Sequence, residues 1–311
     1  MEDTITYHHK IRNYISKHDR RNMASFIITY IRKMENIEDL TKRKYQLHIL
    51  LFLLKMVCKH GSFYPAKIIT EKDLSILHDL SIKLNDFISN EIGGLSHITA
   101  TKIIRQLAYQ QIWLQNKLNY QDIGRILKLL SLSEINPLID ISQELQISIY
   151  DFVKATLIIF VWVNSHKGYR QLLIDDAEII IKDKEKYRII IDYLTQDISD
   201  IRKEIENQSI IKSERLEIFD QSIFYKFPIL KINGEYIYIC DAVLSKTITF
   251  YFIEILSKVQ INSNNENALG IAFERYVEGY LKIFNYSYKK EKEILQNYNI
   301  NDDNKVVDFL I

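Results

Sequence analysis

Asp308 needs a chemical explanation, because this acidic residue lies inside the apolar run Val306 to Ile311. Burying an unpaired carboxylate costs several kcal/mol. We therefore expect Asp308 to be exposed at a strand end, to accept hydrogen bonds, or to bind a cation such as a divalent metal ion. A second carboxylate, Glu274, lies upstream within a helical pattern.

The order of these segments is a helix containing Gly270-Ile-Ala-Phe-Glu274, a strand with basic residues, and the strand that carries Asp308. This order resembles the PD-(D/E)xK, or restriction-endonuclease-like, nucleases over about Gly270 to Ile311. The resemblance implies that Glu274 and Asp308 are catalytic ligands of Mg²⁺ or Mn²⁺, which would activate water and bridge phosphate oxygens.

One part of the family pattern does not occur in this sequence. In that family a (D/E)xK motif follows the aspartate strand, whereas this chain ends at Ile311. We therefore expect the chain to be inactive alone, as a truncated product, an engineered piece, or a fold that another chain completes. The order of segments also loosely resembles that of large bacterial proteins with a helical N-terminal region and a C-terminal nuclease, which often act in antiviral defence.

Basic residues beside the predicted metal site could contact phosphates. These are Lys289, Lys290 and Lys292, and Tyr286 and Tyr288 lie close by for base stacking. Such runs are more often solvated faces, so DNA or RNA binding here is one of two interpretations.

A second candidate motif is Arg43-x₄-His48, which has the spacing of the HEPN ribonuclease motif. That family places Arg and His on one helix and acts on RNA across a dimer interface. Here Lys44 follows the arginine, where the family usually has a small polar residue. A half-buried helical histidine is the simpler interpretation of His48.

Composition predicts the fold that must position these residues. Only 8 glycines and 3 prolines occur in 311 residues, and 47% of residues are hydrophobic, so long helices around a substantial core are expected. The 41 basic and 40 acidic residues give a net charge of +1, which provides no global attraction for nucleic acid.

The sequence also bears on compartment. Cys58 and Cys240 lie far apart among apolar neighbours, which favours free buried thiols over a disulfide framework. The first ten residues contain no apolar signal core. The apolar stretches Leu47 to Cys58 and Ala155 to Val163 are too short to span a bilayer and are interpreted as buried helices. A cytoplasmic protein without membrane contact is expected.

Periodicity predicts a series of helices before residue 210. They cover about Ile11 to Met34, Asp39 to His60, a segment capped by Thr70 and continuing to Leu84, Thr99 to Lys117, Asn119 to Leu132, Ile139 to Leu145, Ile147 to Asn164 and Asp183 to Glu206.

Sequence character changes after about Ile210. Asn233-Gly234 between two runs of β-forming residues, within Phe219 to Cys240, predicts a hairpin, followed by a helix that Asp241 caps and that extends through Ile255. Asn262 to Asn267 is interpreted as a flexible linker. Gly270 to Phe284 is predicted as a helix, and Tyr286 to Leu295 and Lys305 to Ile311 as strands with a turn at Asn301 to Asn304.

The fold class predicted is mainly α, with a helical sensor or scaffold region over residues 1–210 and an incomplete nuclease-like α/β segment over 211–311. The leading hypothesis is a component of a defence-type nuclease that acts on phosphodiesters in its complete form. The helical region would recognise a trigger, a protein partner or a second copy. The competing hypothesis is a non-catalytic helical interaction or scaffold protein.

Overall fold

A computed structural model describes residues 4–64, 66–91, 120–132, 148–165, 184–208, 217–218, 220–262, 268–298 and 309–310. Helices account for 71% of these residues. The prediction of a mainly α protein is therefore confirmed.

The α-helices within these ranges are α1 (Thr4–Ile15), α2 (Arg20–Glu35), α3 (Leu47–His60), α4 (Glu71–Glu91), α5 (Tyr120–Leu132), α6 (Ile149–Ser165), α7 (Lys184–Tyr193), α8 (Ile201–Gln208), α9 (Asp241–Asn262), α10 (Ala268–Ile283) and α11 (Glu291–Asn297). The strands are β1 (Thr195–Asp197), β2 (Ile229–Ile232), β3 (Glu235–Tyr238), β4 (Lys289–Lys290) and β5 (Phe309–Leu310).

The chain divides into two compact units, of which the first comprises residues 1–119 and 150–251. Helix α3 is its central element, since 11 of its 14 residues are buried. Helices α2 and α4 pack on α3, and α1 packs on α4. The prediction that Leu47 to Cys58 forms a buried core helix is confirmed. Cys58 and Cys240 are both free and buried, also as predicted.

A three-stranded sheet belongs to this first unit. Strand β1 runs parallel to β2, and β2 runs antiparallel to β3, with Ile229 opposite Tyr238 and Ile232 opposite Glu235. The connecting residues Asn233 and Gly234 have φ angles of 55° and 84°. Both angles are positive, as a type I′ hairpin turn requires, so the hairpin predicted from Asn-Gly is confirmed.

The second compact unit comprises residues 120–149 and 252–311. Here α5 packs against α10, and the Arg275 guanidinium donates to the carbonyl oxygen of Leu132 at 3.1 Å. Strand β4 pairs antiparallel with β5, with Lys290 opposite Phe309. The domain boundary at residue 210, expected from the change in sequence character, stays a prediction. The two compact units divide the chain at other positions.

Two of the long helices predicted from sequence are each interrupted in the structure. The helix predicted over Ile11 to Met34 is two helices, because the chain turns after α1 and Asp19 accepts a hydrogen bond from the Asn22 N–H at the start of α2. The helix predicted over Asp183 to Glu206 is divided by β1, whose pairing with β2 competes successfully with local helix propensity.

Two further predictions need correction. The helix predicted from Asp39 begins only at Leu47, after a short 3₁₀ turn over Leu40–Lys42. The strand predicted over Tyr286 to Leu295 is limited to β4, and α11 follows it. The carboxylate of Glu293 accepts from the N–H of Lys290 at 3.1 Å and caps the start of this helix.

The start of α9 also differs from the prediction. Asp241 is the first residue of α9 and is not its cap. Glu35, at the end of α2, accepts hydrogen bonds from the N–H groups of Asp241 at 3.0 Å and Ala242 at 2.6 Å. A carboxylate at a helix N-terminus satisfies free N–H groups and interacts favourably with the helix dipole.

Other predicted helices are confirmed where the structure describes them. Helix α4 follows Thr70, whose hydroxyl accepts from the Asp73 N–H, while Asp73 accepts from the Thr70 N–H. Helices α5, α6 and α10 occupy their predicted positions. The helices predicted over Thr99 to Lys117 and Ile139 to Leu145, and the turn at Asn301 to Asn304, lie outside the described residues. Within the part of the chain that the structure describes, no helix combines the length and apolarity needed to cross a bilayer.

Candidate functional site

Glu274 lies on the first half of α10, where its side chain is exposed. The helix forms because apolar residues recur at helical spacing along it and pack on α5. Among the described residues, Glu274 has no hydrogen-bonding or ionic partner. Its carboxylate is therefore available to a ligand from solution.

Glu278, one helical turn further along α10, has the opposite environment. Its carboxylate pairs with Lys282 and with Lys290, each at 2.9 Å, and accepts from the hydroxyl of Tyr288 at 2.9 Å. Hydrogen bonds from Lys282 and Lys290 lower its pKa to about 2. Positions four apart share one side of a helix, so a paired carboxylate and an open one lie on neighbouring turns.

The predicted phosphate contacts differ in their surroundings. Lys289 and Lys290 are exposed on β4. The Lys289 ammonium lies 5.6 Å from the ring centroid of Tyr298, while Lys290 pairs with Glu278. Lys292 lies on α11, and its side chain is outside the described set. Both described ammonium groups thus have neighbours yet keep faces open to solvent.

Asp308 lies outside the described residues, so its predicted approach to Glu274 stays a prediction. Among the residues that are described, no group of three or more His, Cys, Asp or Glu side chains could hold a metal ion together. A metal site at Glu274 therefore needs ligands from elsewhere in the chain, as the prediction of Asp308 supposes. Exposure without a partner fits Glu274 for one ligand position of a hard cation.

A second polar site, which sequence analysis missed, lies inside the first compact unit. Lys55 and Lys59 on α3 meet the carboxylates of Glu217 and Asp220. We call these four residues and His8 the buried ionic cluster. Lys55 Nζ is 3.1 Å from Asp220 and 3.6 Å from Glu217, and Lys59 Nζ is 3.0 Å from Glu217. A lysine within an apolar helix was the available signal, because a buried ammonium requires a carboxylate partner.

The electrostatics of this cluster argue against acid–base chemistry. Burial raises the pKa of Glu217, but a hydrogen bond with His8 and the charges of Lys55 and Lys59 outweigh it and lower the pKa to about 2. Such a carboxylate stays ionised and is a weak general base at neutral pH. Because it can only accept, His8 must donate from Nε2, at 3.2 Å.

A small pocket lies beside the cluster. It is lined by His48, Leu51, Phe52, Lys55, Glu217, Ile218, Asp220, Ser222 and Tyr225. Only about 20 Å³ of this pocket can hold the centre of a water molecule. That is space for about one water and too little for a nucleotide. The cluster therefore connects α3 to the segment 217–225 and serves stability.

The second motif predicted from sequence, Arg43 and His48, is not on a single helix. Arg43 precedes α3 and donates to the carbonyl of Ile37 at 3.0 Å, whereas His48 lies within α3. Burial, with a smaller contribution from His78, lowers the pKa of His48 to about 4. A neutral histidine in the helix interior matches the simpler interpretation of this residue.

Compared with protein-family models, with curated proteins and with solved structures, the chain gives no significant match. Its function therefore has to be argued from its own residues.

Proposed function

We propose that the protein is a component of a metal-dependent nuclease, with its functional surface on α10 and β4 of the second compact unit. Glu274 and Asp308 are the proposed metal ligands, and Lys289 and Lys290 the proposed phosphate contacts. The observation that carries the proposal is the contrast on α10, where Glu278 is fully paired and Glu274 has no partner among the described residues.

The order of elements supports the same proposal. Helix α10 is followed by β4, α11 and then β5, which begins directly after Asp308 in the sequence. A helix glutamate followed by an aspartate at a strand is what the resemblance to PD-(D/E)xK nucleases implies. A bound Mg²⁺ or Mn²⁺ would polarise a phosphodiester and lower the pKa of a water molecule.

Calorimetric titration of Mn²⁺ tests the proposal. Wild-type protein is expected to bind Mn²⁺, while Glu274→Gln and Asp308→Asn should each lose that binding. Glu278→Gln is the matched control, because it changes an acid on the same helix whose carboxylate is already paired. Its Mn²⁺ affinity should stay close to that of wild type. Mn²⁺ binding that survives both site variants would refute the proposed metal ligands.

The competing function is a non-catalytic protein-interaction role. It is favoured by one observation, the exposure of large apolar side chains on α10, including Phe273 at 54% and Ile283 at 72%. Large apolar side chains left exposed on one helix are a common feature of interaction sites. Absence of Mn²⁺ binding, together with a concentration-dependent change in molecular mass, would favour this role over the nuclease proposal.

A further inference from the structure

Four aromatic rings form a continuous series along α10 and just beyond its end. We call Tyr276, Tyr280, Phe284 and Tyr286 the aromatic row. Successive ring centroids are 4.9, 6.3 and 6.4 Å apart, and the planes of Tyr280 and Phe284 differ by only 21°. Each ring therefore contacts the next.

Three of the four rings are exposed to solvent. Tyr280, Phe284 and Tyr286 are 45%, 64% and 56% exposed, whereas Ala272 and Leu281 on the same helix are buried. Helix α10 thus packs internally at Ala272 and Leu281 and leaves aromatic rings in water towards its C-terminal end. An aromatic surface in contact with water gains free energy when a planar ligand covers it.

The chemistry of the row favours nucleic acid over a purely apolar partner. Three of its four rings are tyrosines, which present flat faces and keep a polar hydroxyl in water. Two cationic groups accompany the row: the Arg125 side chain on α5 hydrogen-bonds with Tyr276, and the exposed Lys289 on β4 follows Tyr286 closely in sequence. Aromatic faces beside cationic groups are the combination that binds single strands, through base stacking and phosphate contacts.

Base stacking on the row also favours single-stranded over duplex nucleic acid as the ligand. In a duplex the base faces are already stacked on one another and cannot cover a protein ring, whereas unpaired bases expose both faces. A series of adjacent rings can contact successive unpaired bases along one strand.

We propose that the aromatic row binds single-stranded nucleic acid, with bases stacked on Tyr280 and Phe284 and phosphates at Arg125 and Lys289. This inference rests on the proposed function, for which it names the form of the nucleic acid bound.

Fluorescence anisotropy with a labelled oligothymidylate, in EDTA, tests the inference without any metal. Tyr280→Ala and Phe284→Ala should each weaken binding roughly 10-fold or more, since each removes one stacking platform. Tyr280→Phe should restore binding, because it retains the ring. Tyr64→Ala is the matched control, as Tyr64 is 81% exposed but belongs to the first compact unit. A blunt duplex of the same length should bind more weakly.

Three results would overturn the inference. Oligothymidylate affinity could be unchanged in Tyr280→Ala and Phe284→Ala, or a duplex could bind as tightly as the single strand. Alternatively, wild-type protein could form a dimer that Phe284→Ala converts to monomer, which would show that a second copy covers the row.

The two proposals fail separately. If the protein does not bind Mn²⁺ but binds oligothymidylate through the row, the proposed metal site is refuted and the row remains a single-strand binding surface. Intact Mn²⁺ binding with no contribution from the row would leave the nuclease proposal and remove this inference.

Discussion

Charged residues are buried and paired in the ionic cluster of the first unit, whereas α10 in the second unit leaves a glutamate open to solvent. In the cluster, Lys55 and Glu217 are 6% and 5% exposed, and each has a charged partner within 3.6 Å. On α10, Glu274 faces solvent, and the aromatic row is exposed. A glutamate is therefore paired inside the first unit, whereas Glu274 in the second unit is open to ligands.

This difference shows how to separate structural from functional charge. A buried ion must be paired, because an isolated charge in the interior would cost several kcal/mol. Its pairing therefore needs no functional explanation. An exposed carboxylate and a row of exposed rings are not required for packing, which makes α10 the better place to look for function.

The largest expected effect compares one buried and one exposed phenylalanine. Phe224→Ala in the first unit should lower the free energy of unfolding by about 3–5 kcal/mol, because it leaves a cavity where the side chain is fully buried. Phe284→Ala in the aromatic row should change it by less than about 0.5 kcal/mol. Urea denaturation measures both. A large loss from Phe284→Ala would show that the row belongs to the core.

Glu217→Gln tests the cluster. At neutral pH it should lower the free energy of unfolding by about 3 kcal/mol, because the folded protein lowers the pKa of Glu217 from 4.5 to about 2. The contribution of a lowered carboxyl pKa is present above pH 4.5 and is lost as the pH falls towards 2. Wild type and variant should therefore converge in acid.

Urea denaturation at a series of acidic pH values measures this convergence. Glu71→Gln is the control, since Glu71 pairs with Lys44 on the surface and its loss should have little effect. Equal losses from the two variants at neutral pH would contradict the role assigned to the cluster.

Glu35→Gln should change the free energy of unfolding less than Glu217→Gln does, and its pH dependence should have the opposite sign. Burial, and to a lesser extent the Asp241 carboxylate, raise the pKa of Glu35 from 4.5 to about 7. A raised carboxyl pKa stabilises the fold below pH 4.5, and that contribution is lost as the pH rises through 7. Wild-type stability should thus fall over this range, by at most about 3 kcal/mol.

Denaturation at about pH 5 and about pH 8 measures this slope. Glu35→Gln should flatten it, since the amide does not titrate. An unchanged slope in the variant would assign the pH dependence to another group.

Local sequence signals predicted several elements correctly. Asn233-Gly234 specifies its own turn through two positive φ angles, and α10 has apolar residues at helical spacing. Longer segments were predicted wrongly where a distant partner decides the structure. Strand β1 forms inside a helical pattern because Thr195 to Asp197 pairs with residues 229–231, and this pairing leaves no local signal.

The candidate sites show the same limit. Lys55 was visible as a charge in an apolar helix, but Glu217 is 162 residues away in sequence, so no spacing connects them. Glu274 was identified by its motif. That Glu274 has no partner among the described residues, whereas Glu278 is paired, can be seen only in the three-dimensional structure. The exposure of the aromatic row likewise depends on what packs on α10.

The central claim is that ligand binding belongs to the exposed residues of α10 and not to the buried ionic cluster. Titration of Mn²⁺ into isotope-labelled protein, followed by amide NMR, tests it directly, because the paramagnetic ion broadens signals near its binding site. We expect broadening centred on Glu274 and its absence in Glu274→Gln. Broadening centred on Lys55 and Glu217, or identical broadening in Glu274→Gln, would contradict the claim.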